Sequence, residues 1–153
     1  MKIILGSDHA GYEMKEALHQ FVASELGHEV EDAGTHSQES CDFPRYAQRV
    51  GRAVVRGEAD FGILVCGTGI GMCIAANKIP GVAAAHCCDS YSARMTRLHN
   101  AANVLCLGGR ILGVEIARDI VRNFLATPVD DGQRYAQRRE QVRALERNAE
   151  AEL

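Results

Sequence analysis

Hydrophobic and polar positions follow two alternating rhythms along the chain. Short apolar runs at residues 2–6, 29–32, 61–66, 82–86 and 104–108 read as five strands. Between them the apolar positions recur every three or four residues, as on one face of a helix. Met14, Leu18, Phe21, Val22 and Leu26 mark a first helix, with Gly27 as its stop. Pro44 is placed to open a second, carrying Tyr46, Val50 and Val54. A third helix is expected at about 69–77, and a fourth runs from its cap Asp89 to near His99. Ile111, Val114, Ile116, Ile120, Val121 and Leu125 belong to a fifth. A sixth, from about residue 134 to the end, has only Tyr135, Val142 and Leu145 on a thin stripe among Arg and Glu. Such a helix suits the surface of a partner better than a core of its own.

Strand–helix alternation without a linker or repeat predicts one α/β domain over residues 1–153: a Rossmann-like, three-layer fold with a parallel sheet. Strand order 2-1-3-4-5 is expected. It would place a ligand crevice at the carboxyl ends of strands one and three. Asp8-His9 and Cys66-Gly67-Thr68 occupy those two ends.

The chain of 153 residues is long enough to bury roughly 70% of its unfolded surface. Its net charge of -3 points away from nucleic acid and anionic membranes. Ser7-Asp8-His9 interrupts the apolar start, as a signal peptide would not, and no run approaches the roughly 20 apolar residues of a membrane span. Six cysteines occur without any C-x-x-C pairing, so reduced thiols and a cytoplasmic location are expected rather than disulfides. His86, Cys87 and Cys88 are adjacent, but strand neighbours point to opposite faces, so no metal is expected there.

Cys66-Gly67-Thr68-Gly69-Ile70-Gly71 sets a thiol at a strand end, against a glycine-rich turn that opens a helix. Unpaired amides in such a turn favour a thiolate and a bound oxyanion, although a small buried hydrophobe before a tight turn is the bland alternative. Asp8 suits a helix cap as well as a catalytic carboxylate. His99 at a helix end is stabilised there by the dipole alone. Arg134 and Arg138 are one turn apart and suit a phosphate, or else form a solvated face. Arg139, Arg143 and Arg147 are expected to pair with Glu140 and Glu146. Three other chemistries are excluded. Gly67 and Gly69 do not form a dinucleotide fingerprint on the first strand, Met72 stands where a Cys-x5-Arg phosphatase needs arginine, and no Gly-Lys-Ser/Thr loop exists.

Ser7-Asp8-His9-Ala10-Gly11, the Cys66–Gly71 turn, Ala75-Ala76-Asn77-Lys78, His99-Asn100 with Asn103-Val104-Leu105, Gly109-Arg110 and Arg134/Arg138 recur in order. Over about residues 1–145 this series resembles the type B ribose-5-phosphate isomerases and their relatives acting on galactose 6-phosphate. One branch of that family places a glutamate base in the turn. Cys66 and Ile70 put this chain with the cysteine branch, and Phe43 stands where a tyrosine often precedes the proline.

The resemblance implies reversible conversion of ribose 5-phosphate and ribulose 5-phosphate through an enediolate, with no cofactor or metal. It implies that His99, assisted by Asp8, opens the sugar ring and that Cys66 moves the proton between C2 and C1. The Gly67, Thr68, Gly69, Ile70 and Gly71 amides would hold the oxyanion, and Thr68 would relay a proton. His9, Arg134 and Arg138 would bind phosphate, with Asn100 and Arg110 touching the ligand. A six-carbon sugar phosphate such as allose or galactose 6-phosphate is an alternative substrate, and a sensor without turnover is another reading. Because helix four runs antiparallel to the strands, His99 should lie far from its own Cys66. A homodimer with shared active sites is therefore expected, with further pairing of dimers left open.

Overall fold

The computed structural model describes residues 1–150. Five parallel strands, β1 (Lys2–Ser7), β2 (Glu29–Asp32), β3 (Phe61–Cys66), β4 (Ala84–His86) and β5 (Val104–Gly108), form one sheet in the order β2-β1-β3-β5-β4. The expected order had β4 and β5 exchanged. Register explains the correction: Cys66 of β3 pairs with Gly108 of β5, and β4 pairs only with the outer side of β5. All five residues of β5 are buried, as an interior strand requires, whereas β4 has three half-buried residues and suits an edge.

The described residues also form six α-helices: α1 (Tyr12–Gln20), α2 (Phe43–Val55), α3 (Ile70–Ala76), α4 (Ser90–Asn100), α5 (Val114–Ala126) and α6 (Gln133–Arg147). A π-helical turn, Phe21–Glu25, extends α1 to the left-handed Gly27 that ends it. Pro44 lies in the first turn of α2, and Asp89 caps α4 by accepting the Ser92 amide at 2.7 Å.

Alternation along the strands divides the core in two. Ile3, Leu5, Ile63, Val65, Leu105 and Leu107 face α1, α4 and α5. Ile4, Leu64, Cys66, Val104 and Cys106 face α2 and α3. Right-handed crossovers require this division, because the chain moves one way through α2 and α3 and the other way through α1 and α4. The loop leaving β3 thus enters the α2/α3 layer, while those leaving β1 and β5 enter the opposite layer. A crevice opens around the end of β3.

Lys15 of α1 is fully buried and reaches Asp32 at the end of β2 (2.5 Å) and the exposed Glu16 (2.7 Å). Asp32 also accepts the Gly34 amide at 2.9 Å, so this ion pair sets the start of the loop from β2 to α2. Removing one partner orphans the other charge. Lys15→Met is expected to lower unfolding free energy by about 2–3 kcal/mol in urea titration, and Lys15→Met with Asp32→Asn should recover part of it.

Candidate active site

At the carboxyl edge of the sheet, backbone hydrogen bonds join the ends of three strands. The Asp8 amide donates to Val65 O (3.3 Å), the Gly109 amide to Cys66 O (2.8 Å) and the Arg110 amide to Gly67 O (3.0 Å). Gly11 lies so close to β3 that a Cβ there would stand 2.5 Å from Val65 O. Gly69, at φ +81°, has a left-handed backbone, and a Cβ on it would meet His86 at 2.7 Å and the Leu107 backbone at 2.8 Å. The turn after Cys66 is therefore packed closely at Gly69, while Thr68 and Ile70 stay exposed.

Within that turn the Gly69 amide donates to Cys66 Sγ at 3.1 Å. Cys66 is only 6% exposed. The Ile70 amide donates to Thr68 Oγ1 at 3.3 Å, leaving the threonine hydroxyl hydrogen free. Gly67, Thr68 and Gly71 have main-chain amides without a partner among the described residues. A sulfur held by one amide beside three free ones suits a base next to developing negative charge.

Asp8 Oδ1 accepts the Ala10 and Gly11 amides at 3.0 and 3.1 Å, so Asp8 does serve as a cap. His9 Nδ1 accepts the Cys41 amide at 3.2 Å, which assigns its proton to Nε2 and makes that nitrogen a donor. His9 lines a cavity of about 350 Å³ with Ala10, Glu13, Met14, Gln38, Gly109 and Arg110. Gln38 donates to Glu13 across its rim at 2.7 Å.

The second group of expected residues lies elsewhere. Asn103, at the amino end of β5, accepts the Gly62 amide at the start of β3, and His99 and Asn100 come just before it. Cys66 lies four steps beyond Gly62, roughly 13 Å along a strand. His99 stacks on Tyr135 of α6, with ring centroids 4.2 Å apart and planes 8° from parallel. Arg139 secures this contact by donating to Asp130 O (2.8 Å) and His99 O (3.4 Å) and pairing with Asp131 (3.2 Å). Asn100 and Arg138 line a separate cavity of about 460 Å³ between the end of α4 and α6. Arg134 is exposed over the Tyr135 ring.

One chain thus brings Asp8, His9, Cys66, Gly67, Thr68, Gly69, Ile70, Gly71 and Arg110 together, and holds His99, Asn100, Arg134 and Arg138 apart from them. The expected arginine row needs correction. Arg143 and Arg147 share Glu140 (3.5 and 2.6 Å), but Arg139 turns to Asp131, and Glu146 accepts the Gly81 amide at 3.0 Å.

Sequence reasoning missed two neighbours of the turn. His86 packs against Gly69, and the Phe43 ring lies so near Gly71 that a Cβ there would stand 3.1 Å from it. Nothing in the spacing of His86 marks it, because the turn reaches it only by folding across the end of β5.

Residues 3–142 match the family described as Ribose/Galactose Isomerase. The chain belongs to this isomerase family. It is 47% identical over 147 residues to ribose-5-phosphate isomerase B of Escherichia coli, covering 95% of this chain and 96% of that one. D-erythrulose-4-phosphate isomerase 2 of Mycolicibacterium smegmatis is 41% identical over 132 residues, 85% of this chain and 87% of the relative. The solved structure of Clostridium thermocellum ribose-5-phosphate isomerase B superposes with a TM-score of 0.94 at 47% identity, covering 97% of this chain and 99% of that one. In this isomerase-family chain no helix among the described residues is long and apolar enough to cross a membrane.

Gly108 tests how closely the turn must fit. A Cβ there would meet Thr68 O at 2.8 Å and its carbonyl carbon at 2.9 Å. Gly108→Ala should displace the turn and cut kcat by about 10²-fold, read by steady-state kinetics beside a circular dichroism spectrum of the folded state.

Proposed function

We propose that the protein interconverts D-ribose 5-phosphate and D-ribulose 5-phosphate through an enediolate, with Cys66 as the base. The observation that carries this reading is the Cys66 sulfur on the Gly69 amide, surrounded by the free amides of the same turn. A thiolate there takes the proton from C2 of the open sugar. The free amides meet the charge that develops on the substrate oxygens, and the same sulfur returns the proton to C1. Thr68, its hydroxyl hydrogen free, passes a proton between the two oxygens.

Asp8 keeps its place as a cap through Oδ1, which leaves Oδ2 to receive a sugar hydroxyl. His9 Nε2 and the Arg110 guanidinium border one cavity and suit the anionic end of the substrate. The phosphate roles of Arg134 and Arg138, the ring-opening role of His99 and the ligand contact of Asn100 all require these groups to come from a second copy. Ile70 and Ile74, one turn apart on α3, and Val142 on α6 are each more than half exposed, which supports a homodimer. All six cysteines are unpaired, in keeping with a reducing, cytoplasmic setting.

The 41% identical relative is named for a four-carbon substrate, so chain length of the sugar is the open variable. A discontinuous assay of the purified protein should show its highest kcat/KM for ribose 5-phosphate among ribose 5-phosphate, D-erythrulose 4-phosphate, allose 6-phosphate and galactose 6-phosphate. Preference for another of these would replace the substrate while keeping the chemistry. Cys66→Ala should lose several orders of magnitude in kcat with little change in substrate binding. Near-normal turnover would remove the thiol from the mechanism.

Sharing of the site is tested by mixing two inactive proteins, Cys66→Ala and His99→Ala, after dissociation and reassembly. Part of the activity should return, because one site of each mixed dimer then holds both native groups. Inactive verified mixed dimers, or an active monomer, would refute the shared arrangement.

A further inference from the structure

The cavity that holds His9 carries two opposite charges that do not pair. Arg110 and Glu13 both line it, and its volume is about 350 Å³. The residues beside them are packed together, since a Cβ on Gly109 would stand 3.2 Å from Ala10 O and 3.5 Å from Met14 Cβ. The Arg110 guanidinium nevertheless has neither an acceptor nor an ion-pair partner among the described residues. It extends to the glycine turn, with Nη1 3.7 Å from where a Cβ on Gly67 would stand. Glu13, in the first turn of α1, instead accepts the side-chain amide of Gln38 at 2.7 Å.

Gln38 belongs to the loop between β2 and α2. The Thr35 amide ties that loop to β1 by donating to Ser7 O at 3.1 Å. Thr35 Oγ1 donates to Ser37 O (3.3 Å), and Ser37 Oγ accepts the Glu39 amide (3.4 Å), so the residues on either side of Gln38 are held. Three residues beyond Gln38, the Cys41 amide donates to His9 Nδ1 at 3.2 Å. One loop thus acts at both donors of the cavity. Cys41 leaves His9 Nε2 as a donor, and Gln38 engages the one carboxylate among the lining residues.

We propose that Gln38 is a positioning residue for the anionic end of the substrate: by holding the Glu13 carboxylate it keeps the Arg110 guanidinium open to a phosphate group. A carboxylate offers a guanidinium the same two-pronged acceptor that a phosphate does, so Glu13 and the ligand are rivals for Arg110. Gln38 suits the task because its amide donates to a carboxylate without adding a charge of its own. Without that amide, a well-formed exposed Arg–carboxylate pair closes the guanidinium about four times in five. Phosphate then binds only the open form, and its affinity falls about five-fold.

The effect falls on binding rather than on chemistry. The hydrogen bond from Gln38 to Glu13 is separate from the one that holds the Cys66 sulfur. Ground state and transition state therefore lose the same contact, and kcat is unaffected. The consequence for KM rests on the isomerase reading, whereas the consequence for phosphate affinity does not.

The test uses the full-length protein as wild type, Gln38→Ala, Glu13→Gln and the double variant. Inorganic phosphate is titrated by calorimetry, and ribose 5-phosphate turnover is measured by steady-state kinetics. Gln38→Ala should raise the phosphate Kd and the KM by about five-fold, with kcat within about two-fold of wild type. In the Glu13→Gln background the same substitution should cost nothing, because the rival charge is gone. An equal cost in both backgrounds would overturn the proposal, as would a Gln38→Ala protein with unchanged Kd and KM, or one whose loss lies in kcat. Failure of wild type to bind phosphate would overturn it as well. If wild type binds phosphate but turns nothing over, the isomerase reading has failed and the phosphate titrations alone decide the role of Gln38.

Discussion

Cys66 is held by two amides, and the geometry of the site depends on both. Its carbonyl oxygen accepts Gly109 from the end of β5, and its sulfur accepts Gly69 from its own turn. The first bond fixes β3 against β5 at the edge where the chain reverses direction. The second fixes the turn against the strand. Because the loops after β1 and β5 leave into one layer and the loop after β3 into the other, the free amides open into a crevice rather than into a packed layer. Close packing on Gly11, Gly69 and Gly108 then excludes alternative paths for the turn.

A different constraint governs the second group of expected residues. Helices antiparallel to the strands must end at the amino edge, and α4 delivers His99 there. Stacking on Tyr135 and the three polar contacts of Arg139 tie that end to α6, which buries no residue in its own chain. Arg97 braces the same region from below, donating to Ala102 O at 2.7 Å with its guanidinium over the Phe61 ring at 4.4 Å. His99, Asn100, Arg134 and Arg138 therefore stand at this end of the molecule, apart from Cys66 of the same chain.

The six cysteines show how strongly environment divides one residue type. Cys87 lies in the α1/α4/α5 layer, where burial suppresses its ionisation. Cys106 lies in the opposite layer and is likewise held as a thiol, while Cys73, at the margin of that layer, is shifted toward thiolate. Cys66, with an amide on its sulfur, ends β3 in the same layer and is almost fully buried. Cys88 is exposed with His86 Nε2 3.7 Å from its sulfur.

Sequence periodicity alone determined the five strands, the helices between them, the parallel sheet and the gathering of Asp8, His9 and the glycine turn at one edge. These follow from local rules: strand alternation, helical spacing, caps and the short reach of βα turns. The adjacency of Cys66 to the turn was legible for the same reason, since the contacts are between near neighbours. Order of the last two strands was not, because it depends on which strand loses more by leaving the interior. Val104–Gly108 is apolar throughout and Ala84–His86 is not, but that comparison acts only once a sheet exists. His86 beside Gly69 and Arg139 on the carbonyl of His99 belong to the same class. Each joins residues distant in the chain, and tertiary packing alone selects among partners that periodicity leaves equivalent.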